Sequence, residues 1–312
     1  MSEQKLEIFN VLNFLNNGYE LEDILNEGEF GTFPSAEDCI DYLVAEGYLE
    51  GDVEVTADVE ITAEHISKNY IVSELKDILR ENGLKVSGKK HELVERVLPL
   101  LKEAKDARNL DVSTNTSKSY DNIELTDKAH EFLKENEWID LYMFALIQFR
   151  FEDYETYVAA SSVGVIETGL NFCDEIISRS LVNNHFDVFR LALSAKAHVY
   201  AYDGDYESFL DYDLQHFILG LNPISLDAQS YANYEIINEA NIINLRNVTE
   251  KLEMGSLKKR FDKIWNKSHI KHVTVPKKTC YKTLLKAIDG ADIEELNFEM
   301  REKFFNKKFG IQ

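Results

Sequence analysis

Apolar residues recur at helical spacing along most of the chain. Leu6, Phe9, Leu12 and Leu15 fall about one turn apart and predict a helix over residues 5–16. A second helix is expected over 20–26 and a third over 36–46, where Ser35 stands as N-cap after Pro34. Gly47-Tyr48-Leu49 then leads into Val53, Val55, Val59 and Ile61, which read as strand. Three helices followed by a strand hairpin is the order of a winged helix.

The next pattern is tighter. Val72, Leu75, Ile78 and Leu79 form one apolar stripe of a helix. Gly83 follows its last turn and suits the left-handed conformation that ends helices. Leu84 and Val86 are expected to tuck a short extended loop against the core. Ser87 then caps a second helix with Leu93, Val94, Val97 and Leu98 inside, and Pro99 ends the unit. Residues 102–123 are polar, rich in Ser and Thr, and read as a flexible linker. After it, Leu125-Thr126-Asp127-Lys128-Ala129 opens a further helix, with Thr126 as N-cap.

From there to about residue 250 the chain is dense in apolar and aromatic residues at helical spacing. Tyr142, Leu146 and Phe149 are one example, and Ile176, Ile177, Leu181, Phe186, Phe189 and Leu191 another. Residues 200–210 resemble the turn between the two helices of a tetratricopeptide-type repeat, with Asn222-Pro223 near its end. Phe209 replaces the usual small residue and no 34-residue period is sustained, so stacked helical hairpins are expected. The predicted architecture is mainly α. It comprises a winged-helix-like unit (1–66), a helix-loop-helix module (67–101), a linker (102–123), a helical domain (124–250) and a basic C-terminal segment (251–312).

Charge changes this picture. The 312 residues carry a net charge of −22, but unevenly. Residues 1–70 hold −15, 71–110 hold +2, 111–250 hold −16 and 251–312 hold +7. The expected recognition helix of the winged unit presents Glu37, Asp38, Asp41 and Glu46, which would face phosphates. That unit therefore reads as a protein-contact or structural module. Two islands escape the acidity. In one, Gly88-Lys89-Lys90 opens the second helix of the 70–101 module. A helix start offers free backbone N–H groups and a partial positive charge, so lysines and a glycine there make an anion site. In the other, residues 251–288 hold eleven Lys or Arg against Glu253 and Asp262. Lys258, Lys259, Arg260, Lys263 and Lys267 can share one helix there. They could form a second anionic contact, pair with the acidic body, or simply face solvent.

Residues 70–101 resemble the SAP family of DNA-binding modules. The resemblance rests on Glu74-Leu75-Lys76, Ile78-Leu79, Gly83-Leu84, Val86-Ser87-Gly88-Lys89-Lys90 and Glu92-Leu93-Val94-Glu95-Arg96-Val97. His91 stands where a small residue is usual. The resemblance implies that Lys85, Ser87, Gly88, Lys89, Lys90 and Arg96 line the DNA side. It also implies weak binding to duplex DNA, with a preference for AT-rich sequence. The layout further resembles prokaryotic and phage-associated proteins in which a SAP module interrupts a winged-helix-like segment. There a helix beginning Leu-Thr-x-Lys-Gly follows the insertion; here Ala129 replaces that glycine.

Other chemistry is thin. Cys39, Cys173 and Cys280 are far apart and read as free thiols of a reducing cytoplasm. Residues 1–5 lack the character of a signal peptide, and the longest apolar run, 141–149, is about half a membrane span. Asp203, Asp205 and Glu207 alternate like a metal loop without its remaining ligands, and His269 and His272 have no third partner in sequence. No phosphate-binding loop or nucleophile–base pairing appears. No cofactor, metal or catalytic residue is therefore expected. The expected function is a non-enzymatic, DNA-associated adaptor that holds a protein partner on its helical body. The rivals are a helical interaction or structural protein with incidental DNA contact, and an enzyme acting on nucleic acid through dispersed residues. A cytoplasmic location is expected, with no membrane partner.

Overall fold

The computed structural model describes residues 2–27, 30–56, 63, 66–67, 70–107, 117–223, 234–251, 257–268, 270 and 273–309. Its elements run α1 (Ser2–Asn16), α2 (Leu21–Glu27), α3 (Ala36–Ala45), β1 (Leu49–Thr56), α4 (Val72–Glu81), α5 (Lys90–Ala107) and β2 (Ser117–Leu125). There follow α6 (Asp127–Glu135), α7 (Glu137–Leu141), α8 (Phe151–Ala160), α9 (Val165–Asn183), α10 (Phe186–Tyr202) and α11 (Tyr206–Leu221). The last are α12 (Glu239–Lys251), α13 (Leu257–Lys267), α14 (Lys277–Ile288), α15 (Ile293–Met300) and α16 (Asn306–Phe309). π-helical turns follow α7 at Tyr142–Leu146 and α15 at Arg301–Phe305. The chain is mainly α, as its apolar spacing predicts.

Two compact units form: residues 14–130, and residues 1–13 with 131–312. In the first, the Ser35 hydroxyl caps α3 by accepting from Asp38 N at 3.1 Å, as expected. The strand after it pairs differently from the expected local hairpin. Val59 and Ile61 lie outside the described residues, and the partner of β1 is β2, antiparallel, in a two-stranded ribbon. Leu49 faces Leu125 and Thr56 faces Ser117. Residues 57–116 are thus inserted between two paired strands. The expected linker is correspondingly narrower. Residues 102–107 extend α5, residues 117–123 belong to β2, and 108–116 lie outside the described residues.

Thr126 fastens the end of the ribbon. Its N–H donates to Tyr48 O at 3.1 Å, its hydroxyl donates to Gly47 O at 2.8 Å, and the same oxygen accepts from Ala129 N at 3.3 Å. It caps α6 as the sequence indicated. Lys128 lies 4.2 Å above the Tyr48 ring and donates to Glu46 O at 2.5 Å. The Tyr120 hydroxyl donates to Asp41 at 3.3 Å, and burial together with Asp41 pushes its pKa up.

The second unit holds two apolar cores. One gathers Phe9, Trp138, Tyr142, Phe151, Tyr154 and Phe172. The other is built by α10 and α11 and extends through α12 to the C-terminal helices, with Phe217, Phe261, Leu284 and Phe305 inside. The hairpin at 200–210 forms as read. Gly204 turns the chain at φ +79°, where only glycine is unstrained, and Asp205 caps α11 through Ser208 N at 3.0 Å. The described helices of the basic C-terminal segment contribute to this second core. Leu257, Phe261, Ile264, Val275, Cys280 and Leu284 are buried in the second core. Buried Asn222 accepts from Thr274 N at 2.9 Å and Val275 N at 3.0 Å, which stitches the chain before α14 to the end of α11. No helix among the described residues is long and apolar enough to cross a membrane.

Candidate nucleic-acid interface

The helix pair α4–α5 has its own small core: Ile66, Leu75, Leu79, Leu93, Val94 and Val97 are buried, and Ile78, Val86 and Leu98 pack around them. Two expected core residues lie elsewhere. Val72 is 38 % exposed. It is the first residue of α4, and helical side chains lean toward the N-terminus, so it has no preceding turn to cover. Leu84 is 42 % exposed, and Val86 alone tucks the loop in. Pro99 does not end the unit either. It sits on the exposed side of α5, at the cost of one backbone hydrogen bond, while Leu98, Leu100 and Leu101 keep packing and the helix continues to Ala107.

The ends of the helices determine what the module presents. Ile71 N donates to the Glu74 carboxylate at 2.9 Å, which opens α4. Gly83 takes φ +69°, and Leu84 N reaches back to Leu79 O at 2.7 Å, closing α4 in the left-handed turn that the sequence predicts. Gly88 takes φ +144°, and a Cβ there would approach Arg96 Nη2 to 2.6 Å and collide with the Glu92 carboxylate. The positive φ is what favours glycine at this position, and a Cβ would also displace the ends of the Glu92 and Arg96 side chains. The expected capping by Ser87 is replaced. Helix α5 starts at Lys90, and the Glu92 side chain reaches back to accept from Lys89 N at 2.9 Å. The Ser87 carbonyl accepts from Arg96 instead, at 2.8 Å. Lys85, Ser87, Gly88 and Lys89 are exposed, and Lys90 and Arg96 are half-buried. The six residues implied by resemblance therefore converge on one loop and one helix start.

The second basic island is arranged otherwise. Lys258, Lys259, Arg260, Lys263 and Lys267 do share α13, but much of their charge is met internally. Arg260 is 18 % exposed and donates to Asp211 at 2.7 Å and to Glu207 O at 2.7 Å. Lys263 pairs with Asp211 at 3.2 Å, and Lys258 pairs with Asp262. Hydrogen bonds from Lys258 and Lys277 hold Asp262 below the usual carboxylate range. Lys259 and Lys267 are exposed. Sequence could not show this, because Asp211 and Arg260 meet only once α11 and α13 pack.

One polar seam escaped sequence reading altogether. Asp213 is fully buried; its Oδ1 accepts from Asn241 at 2.5 Å, and its Oδ2 has no partner among the described residues. His216, one turn on, is buried with Nδ1 likewise unmatched. Burial pushes the Asp213 carboxyl up to about 8 and the His216 imidazole down to about 3, so both are neutral at pH 7. The Asp205 and Glu207 pattern is accounted for by capping and by Arg260, while His269 and His272 lie outside the described residues. Among the described residues no cluster of three metal-ligating side chains forms.

Residues 67–102 match the family model of the SAP domain. No curated protein and no solved structure matches the chain.

Proposed function

We propose that this SAP-domain protein is a non-enzymatic adaptor that holds duplex DNA through the Lys85–Lys90 loop and a protein partner through its helical body. The observation that carries the DNA half is the helix start at Gly88-Lys89-Lys90. Lys89 and Lys90, with Lys85 nearby in the same loop, gather there beside a glycine backbone in a chain whose net charge is −22. Phosphates are favoured there by the lysine charges, the Lys89 N–H being already taken by Glu92, and sequence selectivity is expected to be limited to a preference for AT-rich duplex. The partner half is supported by apolar side chains left exposed near the α9–α10 turn: Leu181, Val182, Val188 and Leu191, with Val182 81 % exposed.

The test is a titration of the full chain with a short AT-rich duplex across salt. Binding through the loop alone neutralises about three or four phosphates and gives a log–log slope of roughly −3. A slope of zero, or no binding at low salt, removes DNA from the account.

A further inference from the structure

We propose that Arg96 is a positioning residue that shapes the DNA-binding loop rather than a phosphate contact. The inference rests on the DNA-binding reading above and refines one of its residues. The guanidinium sits beneath the loop and donates at three points. Nε bonds Glu92 O at 2.9 Å, Nη2 bonds Ser87 O at 2.8 Å, and Nη1 bonds Lys85 O. One planar fork therefore ties together two loop carbonyls and the first turn of α5. A point charge such as an ammonium cannot hold that geometry.

The consequences fall on the residues beside it. Arg96 and Glu92 flank Gly88 closely enough that a Cβ would strike both. Glu92 in turn takes the Lys89 N–H. Arg96 thus holds the carbonyls of Lys85 and Ser87, while Glu92 holds the Lys89 N–H. The Lys85 and Lys89 side chains are left exposed. A guanidinium engaged by three carbonyls retains its charge but has few donors left in a direction that a phosphate could share.

The experiment compares the full chain with its Arg96→Lys, Arg96→Ala and Lys89→Gln variants. Each is titrated with a short AT-rich duplex across salt, and amide hydrogen exchange is followed without DNA. Positioning predicts that Arg96→Lys and Arg96→Ala weaken binding alike, on the order of tenfold, the equilibrium worth of a charge-assisted hydrogen bond. It predicts an unchanged salt slope for both, whereas Lys89→Gln flattens the slope by about 0.9. It also predicts faster exchange at amides 84–89 in both Arg96 variants, with Leu93, Val94 and Val97 still protected. Rescue of affinity by Lys, or a flatter slope in Arg96→Ala, overturns the proposal in favour of a phosphate contact. Loss of protection at Leu93, Val94 and Val97 in both variants overturns it in favour of a residue that merely holds the fold. Should the wild-type chain bind no DNA, the functional reading fails separately. Exchange at 84–89 then decides the clamp by itself, and unchanged exchange sinks it.

Discussion

Thr56 lies opposite Ser117 in the antiparallel register of β1 and β2, so the SAP domain is an insertion within a ribbon whose strands are sixty residues apart in sequence. A paired ribbon needs only its own strands and turn, and closing a long insertion costs only logarithmically with length. Replacing residues 57–116 with Asn-Gly should therefore leave the rest of the chain folded and remove DNA binding. Circular dichroism and a duplex titration of the shortened chain check this. Collapse of the helical signal well beyond the loss of α4 and α5 would show that the insertion supports the body.

Arg260 is expected to matter for stability and not for DNA. Its bonds to Asp211 and Glu207 are partly shielded from water. Arg260→Ala should lower unfolding stability by about 1–2 kcal/mol, the range for a charge-assisted hydrogen bond discounted for partial exposure. The salt slope of duplex binding should stay at its wild-type value. A slope flattened by two or more on replacing Lys258, Lys259 and Lys263 with Gln would instead make α13 a second DNA contact.

The helical spacing of apolar residues made the helices legible, and the glycines marked the turn between α4 and α5, although Val72, Leu84, Ser87 and Pro99 do not play the parts their sequence positions suggest. Gly83 and Gly88 both take positive φ, and Leu75, Leu79, Leu93 and Val97 are all buried. The ribbon was hidden because Ser117 and Ser119 make β2 look like linker, and its partner is distant in sequence. The charge run on α13 was visible, but its neutralisation by Asp211 was not, since pairing between helices leaves no local signature. Arg96 showed the same limit: its place in the motif was clear, its carbonyl partners were not.

The buried seam predicts an unusual pH profile. Asp213 titrates near 8 when folded and near its ordinary 3.8 when unfolded, so its contribution is full at low pH and is lost as pH rises toward 8. His216 titrates near 3 when folded and near 6.5 when unfolded, so its contribution rises with pH across that window. The two oppose each other below pH 6.5, and above it only Asp213 acts. Stability should therefore decline from pH 6.5 to 8, and Asp213→Asn should abolish that decline. Denaturant midpoints at the two ends of the interval, for both proteins, are the measurement. An equal decline in the variant would place its cause elsewhere.

Gly88→Ala should disable the module. The backbone angle disfavours any side chain, and a methyl group would push aside the Glu92 carboxylate and the Arg96 guanidinium that hold the loop. Destabilisation of roughly 1–3 kcal/mol, the scale of a strained backbone position, is expected within the α4–α5 pair, together with loss of duplex binding. Wild-type exchange rates at residues 84–97 in the variant would contradict this geometry.

The central claim, that DNA is held at the start of α5, is tested most directly by Lys89→Glu with Lys90→Glu in the full chain. Lys89 is exposed and Lys90 only half-buried, and neither belongs to the apolar core. The measurement is affinity for an AT-rich duplex at low salt, with amide exchange at Leu93, Val94 and Val97 as the record of folding. The account predicts that binding disappears while those amides remain protected. Unchanged affinity with the module intact would contradict it.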